Sequence, residues 1–260
     1  MGKIKDLRSY INIKGGLGNQ LFQYAFYKFI KKFVNQETFI DKSWYKNQNI
    51  LDTKRYFLLE KYLINNFEVT ENNYSKFNQF LNSKLEKIII YSYKHNLFIK
   101  RPYYNGYWQD IFFAKHLTNT DFKETIFDRV KGIDKDYCVI HGRFLDFFTS
   151  KTHYCLESEY YEKAITNFPD DKTFYAISDD IGIMKNIVKK LPFKIEILEL
   201  SEIDSFRLMF NASGGVASNS TFCWWPVYLS KNSNWIFPKL ILKDKNIFDL
   251  NLYIKQTKII

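Results

Sequence analysis

In the stretch VIHGRFLDF, His141, Arg143 and Asp146 stand close together at the end of an apolar run. Arginine carries a permanent charge on a planar fork that matches phosphate oxygens, and each charge-assisted contact contributes on the order of 1.5–3 kcal/mol. Arg143 is therefore a candidate phosphate ligand. A neighbouring Asp146 has the chemistry to take a proton, and His141 stands among the same residues. The alternative for Asp146 is plainer: a carboxylate three residues on can simply pair with Arg143 and orient it.

Three further groups share that placement. Gly15, Gly16, Gly18 and Asn19 open GGLGNQLFQYAF straight after the apolar SYINIK. A strand that turns through glycines into a helix presents free N–H groups and the positive end of a helix dipole, which suits an anion. YAISDD places Asp179 and Asp180 at the start of a helix, either as ordinary caps or as contacts to a nucleotide base or ribose. ASNSTFCWW does the same with Asn219, Ser220 and Thr221, whose side chains can cap a helix and hold phosphate at once. Trp224 and Trp225 are expected to be packing residues.

Other chemistries lose support. Gly16-Leu17-Gly18 with Asp41 downstream resembles a dinucleotide fingerprint, but Leu21 stands where its third glycine belongs. Asp134-Lys135-Asp136 spells Asp-x-Asp, yet it precedes a strand and is expected to be a solvated turn. His95, His116 and His153 have no metal-ligand spacing, and no Gly-x-Ser-x-Gly or Walker lysine occurs. Cys138, Cys155 and Cys223 form neither a disulfide framework nor a zinc site, which fits a reducing cytoplasm.

The elements that must carry these groups alternate. Leu21, Ala25, Phe29 and Phe33 recur every four residues beside Phe22, Phe26 and Ile30, predicting a helix with a broad apolar face. ETFID reads as a strand and YSKFNQFLNSKLEKIII as a helix. From DYCVIHGRF onward the chain alternates strand and helix through KTFYAIS, DIGIMKNIVKKL, FKIEILEL, EIDSFRLMFNAS, GGVASN, STFCWWPVYL and NWIFP. Such alternation predicts parallel sheets with crossover helices, an α/β fold in which ligands bind where strands end. The expected division is a smaller Rossmann-like domain over 1–130 and a doubly wound one over 131–260.

Composition allows this. The chain has 260 residues, 46% of them hydrophobic and 19% aromatic, enough for a packed core. A formal charge of +10 favours an anionic partner such as a nucleotide, a nucleic acid or an acidic membrane surface. Against nucleic acid, no basic stripe interleaves with exposed aromatics. No apolar run is long enough for a membrane span, so membrane contact is expected to be peripheral.

Together the motifs resemble glycosyltransferase family 11, the α-1,2-fucosyltransferases, especially the short bacterial members. GGLGNQLFQYAF is similar to the N-terminal signature over its whole length; GYWQD, YAISDD and ASNSTFCWWPVYL are similar to later elements, in the right order. One motif departs: the family usually has His-x-Arg-Arg-Gly-Asp-Tyr, whereas Phe144 and Leu145 stand here for the second Arg and the Gly. The resemblance implies a GT-B arrangement, two Rossmann-like domains facing across a cleft, and inverting transfer without a metal or cofactor. It implies a GDP-sugar donor, GDP-fucose or a relative, and a glycan acceptor, with the 2-hydroxyl of galactose expected and a lipid-linked glycan as one form of it. Arg143, Asp146 and His141 are then the catalytic candidates, and Gly16, Gly18, Asn19, Asp179, Asp180, Asn219, Ser220 and Thr221 the donor-binding ones. Phe144 and Leu145 leave an inactive GDP-sugar-binding relative as an alternative, beside a basic nucleic-acid-binding protein. The place of work implied is the cytoplasm, at or near the inner face of a membrane.

Overall fold

Two parallel sheets flanked by helices realise the expected alternation. The computed structural model describes residues 8–48, 53–64, 67–71, 85–255 and 257–260. The chain divides into two compact units, Met1–Lys123 and Glu124–Ile260. The division precedes the expected one after 130 because the turn Glu124–Phe127 is bonded into the second unit. There Arg207 Nη2 donates to the Thr125 carbonyl at 2.6 Å, and Asn211 Nδ2 to the Phe127 carbonyl at 3.2 Å.

In the first unit, strands β1 (Ser9–Asn12), β2 (Thr38–Asp41), β3 (Val69–Thr70) and β4 (Tyr103–Tyr104) form a parallel sheet in the order β3-β2-β1-β4. Helix α1 (Leu17–Phe29) follows β1 and continues as a π-helical segment, Ile30–Val34. Nearly every residue of α1 is buried, which explains its aromatic density. Phe26 stacks on Trp108 with ring centroids 3.9 Å apart and meets Phe113 edge-on at 5.0 Å. Asp41, the ribose candidate of the fingerprint alternative, is fully buried; it accepts from the Ser43 amide at 2.9 Å and from Tyr103 OH at 3.0 Å. It is thus committed to tying β2 to β4. Of the helix expected over 74–90, residues 74–84 lie outside the described residues; α2 (Glu86–Lys94) accounts for its end. β4 carries no sequence signal, because a two-residue strand has no period.

The second unit holds strands β5 (Cys138–Gly142), β6 (Phe174–Ser178), β7 (Ile195–Ile197), β8 (Gly214–Val216) and β9 (Trp235–Phe237). Leu240–Leu242 and Lys245–Asn246 (β10, β11) make a separate antiparallel pair, and β12 (Lys258–Ile259) closes the main sheet. That sheet is parallel throughout, in the order β12-β9-β8-β5-β6-β7. Helices α3 (Ser158–Ile165), α4 (Ile181–Val188), α5 (Glu202–Asn211) and α6 (Thr221–Ser230) cross between strands. The chain runs outward from β5 to β7, then returns to lay β8 on the other side of β5. Between β5 and β8 the winding reverses, the point at which doubly wound sheets bind ligands beyond the carboxyl ends of their strands. All five residues of β5 are buried, as a central parallel strand requires. Cys138 and Ile140 pack with Phe144, Tyr161, Ile165, Met184 and Ile236 in one core. Among the described residues no helix is long and apolar enough to cross a membrane.

Candidate active site

Arg143 leaves the end of β5 between two carboxylates. Its Nε and Nη2 donate to both oxygens of Asp146 at 2.9 and 2.8 Å, while Nε lies 3.2 Å from Asp179 Oδ2. The other Asp179 oxygen accepts the backbone N–H of Phe144 at 2.8 Å. Asp179 arrives there because Gly142 and Ser178 are register partners of β5 and β6, so the residues that follow them emerge side by side. Nη1 of Arg143 has no bond to a described residue. Two carboxylates on one guanidinium leave a net negative charge at this strand exit. Asp146, 34% exposed against 16% for Asp179, is the one that solvent can replace.

The local turn depends on Gly142. A Cβ there would lie 2.5 Å from Met184 Cε and 2.6 Å from a ring carbon of Phe144. Without it, Phe144 folds back into the core, almost fully buried beside Tyr161. The residue that stands for the resembled motif's second arginine is therefore a packing residue. Leu145 faces solvent.

His141 and Ser218 span the reversal point: Nδ1 and Oγ are 2.8 Å apart, one on β5 and the other just past β8. His141 is buried, and desolvation together with the charge of Arg143 pushes its imidazole down to about 3. It is neutral across the working range, and its burial suits joining the two strand exits. Tyr160 OH supports the same exit, donating to the Ala217 carbonyl at 2.6 Å.

Beyond Ser218, the side chain of Ser220 caps α6 by accepting from the Phe222 amide at 3.2 Å, and Thr221 is its first residue. Asn219 points its Nδ2 into two loops, donating to the carbonyls of Tyr154 at 2.7 Å and Ile241 at 3.0 Å. Asp180 caps α4, accepting from the Ile183 amide at 2.9 Å. Asp136 pairs with Lys172 at 2.7 Å before β5 begins, at the opposite end of the strand from Arg143. Among the described residues no three His, Cys, Asp or Glu side chains gather to hold a metal ion.

In the first unit, the glycine turn is held from behind by glutamines that sequence reasoning passed over. Gln23 Oε1 accepts the Lys14 amide at 2.7 Å, and Gln20 Nε2 donates to the Gly15 carbonyl at 3.0 Å. Gly15 has φ +80°, and a Cβ there would crowd Asn19 Nδ2 at 2.8 Å. Asn19 Oδ1 accepts from Gln109 Nε2 at 2.8 Å, Gly18 is buried in the first turn of α1, and a Cβ at Gly16 would make ordinary contact with Arg55 Nη1 at 3.8 Å. Beside the turn, Lys14 Nζ donates to Asn105 Oδ1 at 2.8 Å and lies 4.7 Å from the centre of the Tyr107 ring.

Of the candidates, the fold thus joins Arg143, Asp146 and Asp179 in one cluster. It sets His141, Asn219, Ser220 and Thr221 around the neighbouring strand exit and gives Asp180 a capping role. Ser218 went unrecognised because a serine within ASNST carries no signal until β8 is laid beside β5.

Comparison with known proteins bears on this geometry. The model of glycosyl transferase family 11 matches residues 2–247. The O-antigen biosynthesis glycosyltransferase WbnK of Escherichia coli is 25% identical, over 85% of this chain and 90% of that protein. The fold is shared with the fucosyltransferase NodZ from Bradyrhizobium, at TM-score 0.57 and 9% identity, over 86% of this chain and 93% of that one. A structure of NodZ, an α-1,6-fucosyltransferase soaked with GDP-fucose, gives TM-score 0.54 at 10% identity over 86% and 92%.

Proposed function

The chain belongs to glycosyltransferase family 11, and from that premise we propose that it moves L-fucose from a GDP donor to a hydroxyl of a glycan, with inversion and without a metal ion. One observation carries the proposal: a guanidinium stands at the carboxyl end of β5 beside the reversal point of a doubly wound sheet, held from behind by a carboxylate of the next strand. As the bond from the sugar to phosphate breaks, negative charge grows on the leaving GDP, and a positive group already aimed at it lowers the barrier. Arg143 is that group. Asp179 anchors it, and the donor's phosphate replaces Asp146 on the guanidinium. The Ser220 and Thr221 hydroxyls at the start of α6 complete the phosphate contacts.

The acceptor oxygen attacks the anomeric carbon from the face opposite the departing phosphate. Its proton leaves to a base or to water as the new bond forms. Both oxygens of Asp146 lie on Arg143 before donor binds, which assigns it to holding the guanidinium until phosphate takes its place. The glycine turn at Gly16, with the Arg55 guanidinium beside it, is assigned to sugar contact within the first unit. The sugar is fucose and the acceptor the 2-hydroxyl of a galactose residue, on the support of the family signature; the NodZ likeness extends to fold alone.

Incubating the protein with GDP-fucose, a panel of galactosides and EDTA tests this. GDP release that persists in EDTA and a product linked at the galactose 2-hydroxyl are expected. Absence of both transfer and GDP binding would overturn the proposal, and release that stops in EDTA would overturn its metal-free part.

A further inference from the structure

Between residues 88 and 99 the first unit exposes several large apolar side chains, in a stretch that also carries lysines. Helix α2 turns Ile89, Ser92 and Tyr93 inward and leaves Ile88 and Tyr91 outside. The chain then bends through Asn96, at φ +59°, and exposes Leu97 and Ile99. These four side chains are between 50% and 65% exposed, well above what isolated surface apolar residues need for an explanation.

The surface is held rigidly. Leu97 N–H donates to the Ser92 carbonyl at 2.9 Å. The Ile99 carbonyl accepts both Tyr93 OH at 2.6 Å and Tyr104 OH at 3.1 Å. Apolar side chains fixed outward by buried hydrogen bonds are a preformed face. It continues through Phe98 and Phe33, which both pack on Phe29, at 5.8 and 5.1 Å between ring centroids.

Charge identifies what such a face meets. Lys32, Lys87, Lys100 and Lys115 are exposed, Lys32 against the Phe33 ring and Lys115 against Phe112. His116, against Phe33, is held down at about 4 mainly by burial, with Lys115, Lys32 and Lys28 acting in the same direction. Among the described residues, Asp110 pairs with Lys94 and Asp121 with Lys28, and Glu86 accepts the Trp108 amide. Apolar and aromatic residues flanked by unneutralised lysines match the boundary between acyl chains and anionic headgroups. A second copy of the chain would bring the same lysines face to face.

We propose that the surface of Ile88, Tyr91, Leu97 and Ile99, with its surrounding lysines, docks the protein on an anionic lipid bilayer. The apolar side chains enter the headgroup region while the lysines gather acidic lipid. The inference is independent of the transfer reaction, because binding requires neither donor nor acceptor.

Cosedimentation of the full chain with phosphatidylglycerol-containing vesicles, compared with pure phosphatidylcholine vesicles, tests it. Binding to the anionic vesicles alone is expected, falling steeply as salt rises. Reversing charge at Lys87→Glu and Lys32→Glu should weaken partitioning at least about fivefold for each lysine. Leu97→Ser with Ile99→Ser should weaken it at least about tenfold. Lys163→Glu with Lys185→Glu, in the second unit, should leave it unchanged, and all variants should keep the native circular dichroism. Equal binding by patch variants and the parent chain would overturn the proposal, as would equal losses from the control variant. Oligomers that the patch variants dissociate, with no vesicle binding by the parent chain, would instead assign the face to a second copy.

Discussion

Arg143 and Asp179 are neighbours through sheet register: Nε and Oδ2 lie 3.2 Å apart because Gly142 and Ser178 are paired on adjacent strands. Asp179 also receives the Phe144 amide, so one carboxylate fixes both the guanidinium and the turn that delivers it.

Replacing Arg143 by Lys keeps the charge but loses the fork, so an ammonium cannot hold two acceptors in one plane. Turnover measured by GDP release should fall by about a hundredfold or more, with GDP affinity reduced as well. Activity within a few-fold of the parent chain would remove Arg143 from the mechanism.

The two carboxylates should separate in kinetics. Asp146→Asn removes the group that competes with phosphate for Arg143, so kcat should stay within about threefold and the KM for donor should fall. Asp179→Asn loosens the anchor, and kcat should drop at least about tenfold. A loss of about a thousandfold on Asp146→Asn would make it the general base instead.

Acidification should expose the buried histidine. His141 stays neutral in the folded chain down to about 3, whereas unfolded it takes a proton near 6.5. Below 6.5 the unfolded state binds more protons, so stability is lost as pH falls, by about 1.4 kcal/mol per pH unit for this group. His116, lowered to about 4, acts in the same direction over a shorter range, more weakly because it is only half buried. Denaturant unfolding between pH 7 and pH 5 should show the slope, and His141→Gln should flatten it. An unchanged slope in that variant would contradict the assignment.

Gly142→Ala places a methyl against Met184 and Phe144. Overpacking of that kind costs about 1–3 kcal/mol, a fall in Tm of several degrees. Donor affinity should fall with it, because the same shift moves Arg143. A variant with parental Tm and GDP affinity would show that the turn yields freely.

The order of strands and helices was legible because each apolar run here is bounded by a turn or a cap, and such local signals lie in neighbouring residues. Arg143, His141 and the aspartates stood out for the same reason: their chemistry is carried by type and by position after a strand. What lay beyond reach was anything set by strand neighbours. Ser218 meets His141 only because β8 returns to the far side of β5, and Asp179 meets Arg143 only through register. Phe144 looked like a change in a charged motif, and it became a core residue once Gly142 and Met184 were beside it. Composition and periodicity determine which segments fold and which side faces inward, because burial and backbone bonding act locally. Which carboxylate holds which arginine is decided by the winding of the sheet, because electrostatic partners are chosen by distance in space.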